Sequence, residues 1–206
     1  MPKSTFFNLP EAKKKHIMDV AFEEFSKVPY QSISINGMIQ KMQISTGSFY
    51  QYFEDKKDLY FHVLSFFIDG LMEESKRTNI KIDLLDPVKN FQGTSVFTET
   101  RKNMKYYEPI FVKNFNKAPL EIKRDWTFDN IVNQKYMDLY DYTFFEGEDI
   151  DPKVKEQKYL MMSLVMTIPT LLQRFSDRQN NFEEYSELYR LCLGVLKAGF
   201  ANFKSI

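Results

Sequence analysis

The sequence predicts an all-α fold in two parts: an N-terminal three-helix domain built on a helix-turn-helix, then a larger helical domain. Three observations carry that expectation. Apolar residues recur at three- and four-residue spacing along most of the chain, as on helices with one buried face. Only seven Gly and eight Pro occur in 206 residues, which favours long helices over many-turned β-structure. Between Ser34 and Phe53, two short helical patterns are separated by one tight turn.

Bulk composition narrows the class. Apolar residues make up 43% and charged residues 27%, so the chain can bury a core and is not of the disordered type. The lone cysteine, Cys192, excludes an intramolecular disulfide framework and fits a reducing cytoplasm. No secretory segment opens the chain, and no apolar run is long enough to span a bilayer. The formal net charge is zero, which argues against an indiscriminate nucleic-acid binder. Residues 1–57 hold eight Lys against six acidic residues, so any nucleic-acid affinity there must come from placed contacts and helix N-termini.

Taken in order, residues 1–9 read as a loose arm. Pro10 and Glu11 suit a first helical turn, where a missing N–H costs nothing and an acid meets the positive dipole end. Ile17, Val20, Ala21, Phe25 and Val28 then form one apolar face, and Lys13, Lys14 and Lys15 form a solvated cluster that reads equally as a plain surface charge run or as a phosphate contact. Ser34 is the N-cap of a short helix ending near Met42, with Met38, Ile39 and Met42 inward. Gln43 and Ile44 turn the chain, and Ser45 caps a second helix anchored by Phe49 and Phe53. From Ser45 to Phe53 that helix is ~13 Å long at 1.5 Å per residue. It can enter a B-DNA major groove ~12 Å wide and point its first side chains at base edges. On this reading Ser34, Asn36, Ser45, Thr46, Ser48 and Gln51 offer hydrogen bonds to bases or phosphates, and Gly47 allows close backbone approach. Tyr50 and Tyr52 offer hydroxyls, and Lys56 a charge, to phosphate oxygens. The plainer alternative is a buried helical hairpin whose aromatics are all core.

Asp55 caps the next helix, which runs to about Thr78 with Leu59, Val63, Phe66, Phe67, Gly70 and Leu71 on one side. As the only covalent link to the rest of the chain, it is expected to carry any message between the two parts. A break spans Thr78 to Asp86. Helices are expected near 87–102, 103–115 and 119–145, in an aromatic-rich stretch that Pro109 and Pro119 divide. Asp151-Pro152 opens a long helix kinked at Pro169, Asp177 to Asn181 make a polar turn, and a last helix follows. The last two helices are apolar over more than one face, which suits a core on one side and a partner on the other.

The run from Ser45-Thr46-Gly47-Ser48-Phe49-Tyr50 to Leu59 resembles the end of the DNA-binding domain of the tetracycline-repressor (TetR) family. That pattern has Ser, then Gly two residues on, an aromatic, Tyr, and a closing Phe, followed by Lys, an acidic residue and Leu, matched here by Phe53, Lys56, Asp58 and Leu59. Ile17, Ala21, Phe22 and Phe25 match the family's first helix, and Tyr30, Ile33, Ser34 and Ile35 the lead-in to its second. The sequence departs from the pattern at Pro29, Ile39 and Gln43, which bears on turn geometry and helix spacing. The resemblance covers roughly the first sixty residues. It implies a DNA-binding domain over 1–58 and an effector-binding and dimerisation domain over 59–206. It further implies a cytoplasmic homodimer that binds a double-stranded operator, without a cofactor, and answers to a small-molecule effector.

Within the second part, Phe91, Phe97, Tyr107, Phe111, Trp126, Tyr136, Tyr140 and Met162 are the candidate lining of an effector pocket for a flat or lipophilic molecule. For most single rings the plainer reading is core. Leu164, Ile168, Leu171, Leu191, Gly194, Val195 and Ala198 are the candidate dimer face. No enzyme is predicted: His16 and His62 lack partners at metal spacing, Cys192 lies on an apolar face, and no phosphate loop or nucleophile elbow occurs. Three functions remain in view: a ligand-released repressor, an all-helical carrier of lipophilic molecules without specific DNA binding, and an activator working through a protein partner.

Overall fold

A computed structural model describes residues 2–80, 82–83, 86–132, 140–141, 168, 172 and 181–203. The chain divides into two compact units. The first comprises Met1–Arg77 and Phe97–Asn133; the second comprises Thr78–Val96 and Gln134–Ile206.

In the first unit, α1 (Ser4–Phe7) precedes α2 (Glu11–Lys27), a 3-10 turn at Tyr30–Ser32, α3 (Ile35–Lys41), α4 (Thr46–Tyr52) and α5 (Lys56–Thr78, whose last residue passes to the second unit). The end of α6 (Pro87–Asn103), a π-helix at Tyr107–Asn114, α7 (Phe115–Lys117) and α8 (Leu120–Val132) complete it. The core is made of the anchors that helical spacing selects: Ile17, Ala21 and Phe25 from α2, Met38 and Ile39 from α3, Phe49 from α4, and Leu59, Val63 and Phe67 from α5. Each is at most 4% exposed, so all the helices of the N-terminal part share one interior.

Two expectations are corrected here. Residues 1–9 are no loose arm: Phe6 is buried, and Lys3 N–H donates to the Tyr52 carbonyl at 2.9 Å. Nor does one helix run over 119–145, because Tyr140–Asp141 is extended and pairs in parallel with Ile82–Asp83 in the second unit. The stretch 103–115 is helical from Tyr107 onward but in the wide π form, with Pro109 in its first turn, where a missing N–H costs little.

In the second unit, α9 (Phe182–Phe203) is the longest described helix. It buries Tyr185, Tyr189 and Leu193 on one side. Ile168 and Leu172 are helical and buried, whereas the rest of the helix expected from Asp151, with its kink at Pro169, lies outside the described residues.

Candidate nucleic-acid interface

Local hydrogen bonds build the helix-turn-helix. Ser34 Oγ accepts from the Gly37 N–H at 3.3 Å and Ser45 Oγ from the Ser48 N–H at 3.0 Å, so each short helix has one of its orphan donors satisfied. Helix α3 ends in a Schellman motif. The Ile44 N–H donates back to the Ile39 carbonyl at 3.4 Å and the Gln43 N–H to the Gln40 carbonyl at 3.1 Å. That closure requires a left-handed residue, and Gln43 takes it with φ 54°. A glycine would meet this geometry without Cβ strain, so Gln43 stores about 1 kcal/mol that the surrounding packing must offset. Asp55 opens α5, accepting from the Asp58 N–H at 2.8 Å, while Asp58 accepts from the Glu54 N–H at 3.0 Å. This reciprocal pair acts like a capping box and fixes the angle between α4 and α5.

Pro29 has a compensation that sequence spacing does not reveal. The carbonyl of Phe25, near the end of α2, would ordinarily accept from the N–H four residues on, but residue 29 is proline and has none. Asn114, from the end of the π-helix, supplies the donor. Its Nδ2 donates to the carbonyls of Phe25 (2.6 Å) and Val28 (2.7 Å). Its Oδ1 accepts from the Tyr30 N–H (3.1 Å) and the Tyr60 hydroxyl (3.3 Å). All four hydrogen-bonding positions of the amide are used, in a side chain 6% exposed. Burial pushes the Tyr30 phenol up to about 12 and also raises the Tyr60 phenol. The covalent path along α5 is therefore not the only connection between the helix-turn-helix and later residues.

The expected DNA-facing residues separate into three groups. Asn36, Thr46, Gly47, Tyr50 and Gln51 are exposed. Adding a Cβ at Gly47 would meet only Ser45 Oγ, at 3.9 Å, so packing does not require glycine there. Ser34, Ser45 and Ser48 serve the helix caps, with the two hydroxyls of Ser45 and Ser48 2.9 Å apart. Tyr52 and Lys56 turn inward. The Tyr52 ring is buried and its hydroxyl accepts from Lys13 Nζ at 3.3 Å. Lys56 Nζ donates to the carbonyls of Tyr30 (2.9 Å) and Ile33 (3.2 Å) and lies 4.5 Å from the Tyr30 ring centroid. Desolvation lowers its pKa. Two of the three ammonium protons are thus committed to the turn before α3.

Of the candidate pocket residues, Tyr107, Phe111 and Trp126 are described with their side chains. Tyr107 stacks on Phe111 (5.2 Å between centroids), Phe67 of α5 meets the Tyr107 ring edge-on at 5.5 Å, and Phe61 of α5 meets Trp126 at 5.4 Å. Phe91 and Phe97 lie on α6 and Tyr140 on the short strand; Tyr136 and Met162 fall outside the described residues. Of the candidate dimer face, Leu191, Gly194, Val195 and Ala198 are exposed along one stripe of α9, Ile168 is buried, and Leu164 and Leu171 fall outside the described residues.

A capped two-helix unit of this kind, with a polar exposed first turn on its second helix, defines the helix-turn-helix class of DNA-binding domain. Residues 17–63 match the family model described as bacterial regulatory proteins, tetR family. The HTH-type transcriptional regulator QacR of Staphylococcus aureus (strain Mu50 / ATCC 700699) is 25% identical over 141 residues, covering 65% of this chain and 70% of that protein. A TetR family transcriptional regulator from Chloroflexus aurantiacus, known from its crystal structure, aligns over 96% of both chains with 23% identity and a TM-score of 0.46. Residues 17–63 therefore carry the N-terminal, DNA-binding domain of the tetR family of bacterial regulatory proteins. No described helix is long and apolar enough to cross a membrane.

Proposed function

We propose that the protein is a cytoplasmic homodimeric repressor that binds a two-fold operator through α4 and is released by a small lipophilic or aromatic ligand. The observation that carries the DNA-facing part is the exposed first face of α4. Thr46, Gly47, Tyr50 and Gln51 sit exposed on a helix capped at its N-terminus, and packing does not require glycine at position 47. Thr46 and Gln51 are assigned to bases, and Tyr50 to phosphate. Lys56 is assigned to phosphate through its one uncommitted proton. The division at residues 58 and 59 into a DNA-binding and an effector-binding, dimerising part belongs to the same proposal.

Dimerisation is supported by the stripe on α9, where Leu191 and Val195 are 65% and 66% exposed one turn apart. Two recognition helices must also meet half-sites about 34–36 Å apart or a multiple of that. Coupling is supported by the Asn114 knot, because a ligand that shifts the π-helix by an ångström would move the turn before α3 as well as α5. A coupling of about 1–3 kcal/mol would weaken operator binding roughly 5–150-fold, and the operator would weaken ligand binding by the same factor.

Selection of duplexes from a random pool, followed by affinity measurements at several salt concentrations, tests the assignment. Gln51→Ala should cost about 1–3 kcal/mol on the selected duplex and relax preference at one position per half-site. Unchanged preference would show that the assigned face is wrong.

A further inference from the structure

We propose that Lys3 and Thr5 are positioning residues for DNA recognition: the N-terminal segment clamps the C-terminal end of α4 and so sets the pose of Tyr50 and Gln51. The proposal rests on α4 being the DNA-reading helix. At seven residues α4 is far too short to be stable alone, and its last carbonyls have no helical donors of their own. The structure accounts for each. Phe49 O accepts from the Phe53 N–H at 2.8 Å, which closes the helix. Tyr50 O accepts from Lys3 Nζ at 2.8 Å, Gln51 O from Thr5 Oγ1, and Tyr52 O from the Lys3 N–H at 2.9 Å. Three of the four partners thus come from two residues lying more than forty positions upstream. The Lys3 ammonium also sits at the negative end of the helix dipole, where a cation is favoured.

The clamp is held rather than draped. Phe6 is 2% exposed, with its ring centroid 4.9 Å from that of Phe53 and 5.5 Å from that of His62, so the residue after Thr5 is sunk between α4 and α5. The Asn8 N–H donates to the Ser4 carbonyl at 3.1 Å, and Lys14 Nζ reaches back from α2 to the Phe7 carbonyl at 3.2 Å. Two of the three backbone carbonyls that the clamp holds belong to Tyr50 and Gln51, whose side chains are exposed. Loosening the clamp leaves the N-terminal turn of α4 capped by Ser45 and frees its far end, which is a change of pose rather than of fold.

The test uses the full chain and a duplex that the parent selects from a random pool. Thr5→Val keeps shape and removes the donor, Lys3→Met removes charge and donor, and Thr5→Ser and Lys3→Arg restore them. The Lys3→Met/Thr5→Val double variant should lose about tenfold in affinity for the selected duplex. Its base preference should flatten at the positions that Gln51→Ala also relaxes. Thr5→Val alone should leave both unselected-duplex binding and the salt slope as in the parent, and Thr5→Ser and Lys3→Arg should return affinity and preference. Parental affinity and preference in the double variant would overturn the proposal. So would losses that track the melting temperature equally on selected and unselected duplexes. A salt slope lowered by about one in Lys3→Met, with Thr5→Val unchanged in affinity, would make Lys3 a phosphate contact and overturn it too. A parent that selects no duplex at all would instead overturn the DNA-reading role of α4 itself.

Discussion

The exposed faces of α4 and α9 differ in kind. On α4 the outward residues are short, polar or aromatic with a hydroxyl, while Phe49 and Tyr52 are turned inward. On α9 the polar surface of a normal outer helix is interrupted by Leu191 and Val195, although Tyr185, Tyr189 and Leu193 already give that helix a buried side. A helix that has filled its core and still shows large aliphatic side chains is addressed to another apolar surface. A helix showing amide, hydroxyl and glycine is addressed to a polar, close-approaching one. Two regions of one chain thus expose two different surface chemistries, which the proposed function assigns to DNA and to a second copy of the chain, and the contrast can be broken from either side.

The largest effect is expected on α9. Leu191→Asp places a charge on the proposed dimer face, and an uncompensated buried charge costs about 3–5 kcal/mol per site. Sedimentation should then show monomer where the parent is a dimer, with helix content unchanged because the position is exposed within the chain. A parent that is already monomeric at about tens of micromolar would remove α9 from the comparison.

Next comes the Asn114 knot at the end of α2. Asn114→Leu leaves the Phe25 and Val28 carbonyls and the Tyr30 N–H without their buried partner. A loss of about 3 kcal/mol follows if one or two of them stay unsatisfied. Denaturant unfolding would report it. A loss under ~0.5 kcal/mol would mean that water replaces the amide.

Gly47→Ala sharpens the α4 side because stability and binding should move in opposite directions. The added methyl meets no protein atom closer than 3.9 Å, so helix propensity should stabilise the chain by about 0.5–1 kcal/mol. If the duplex backbone or a base edge approaches there, affinity for the selected duplex should fall by about tenfold, as expected for roughly 1.4 kcal/mol of overpacking. Stabilised protein with undiminished affinity would place Gly47 outside the contact. The smallest effect is expected at Gln43. Gln43→Gly relieves the left-handed backbone at φ 54° and should raise stability by about 0.5–1 kcal/mol after the entropy that glycine adds to the unfolded chain. A melting temperature that falls would mean that the Gln43 side chain makes a compensating contact.

What the sequence by itself determined is what depends on neighbours three or four residues apart. Ser34, Ser45 and Asp55 were legible as caps because a cap bonds the N–H two or three residues on. The buried faces of α2 to α5 were legible for the same reason, since a helix repeats its inward side every turn. The motif around α4 was specific enough to indicate the family before any coordinates. Only the tertiary structure decided which polar residues of that motif are also bonded within the protein. Tyr52 and Lys56 belong to it yet are turned to Lys13 and to the carbonyls of Tyr30 and Ile33. It alone showed that Lys3 and Thr5 complete α4 and that Asn114 makes good the N–H missing at Pro29. Those bonds span 46 to 89 positions, where no periodicity links donor to acceptor, and the closure of the fold is what brings them together.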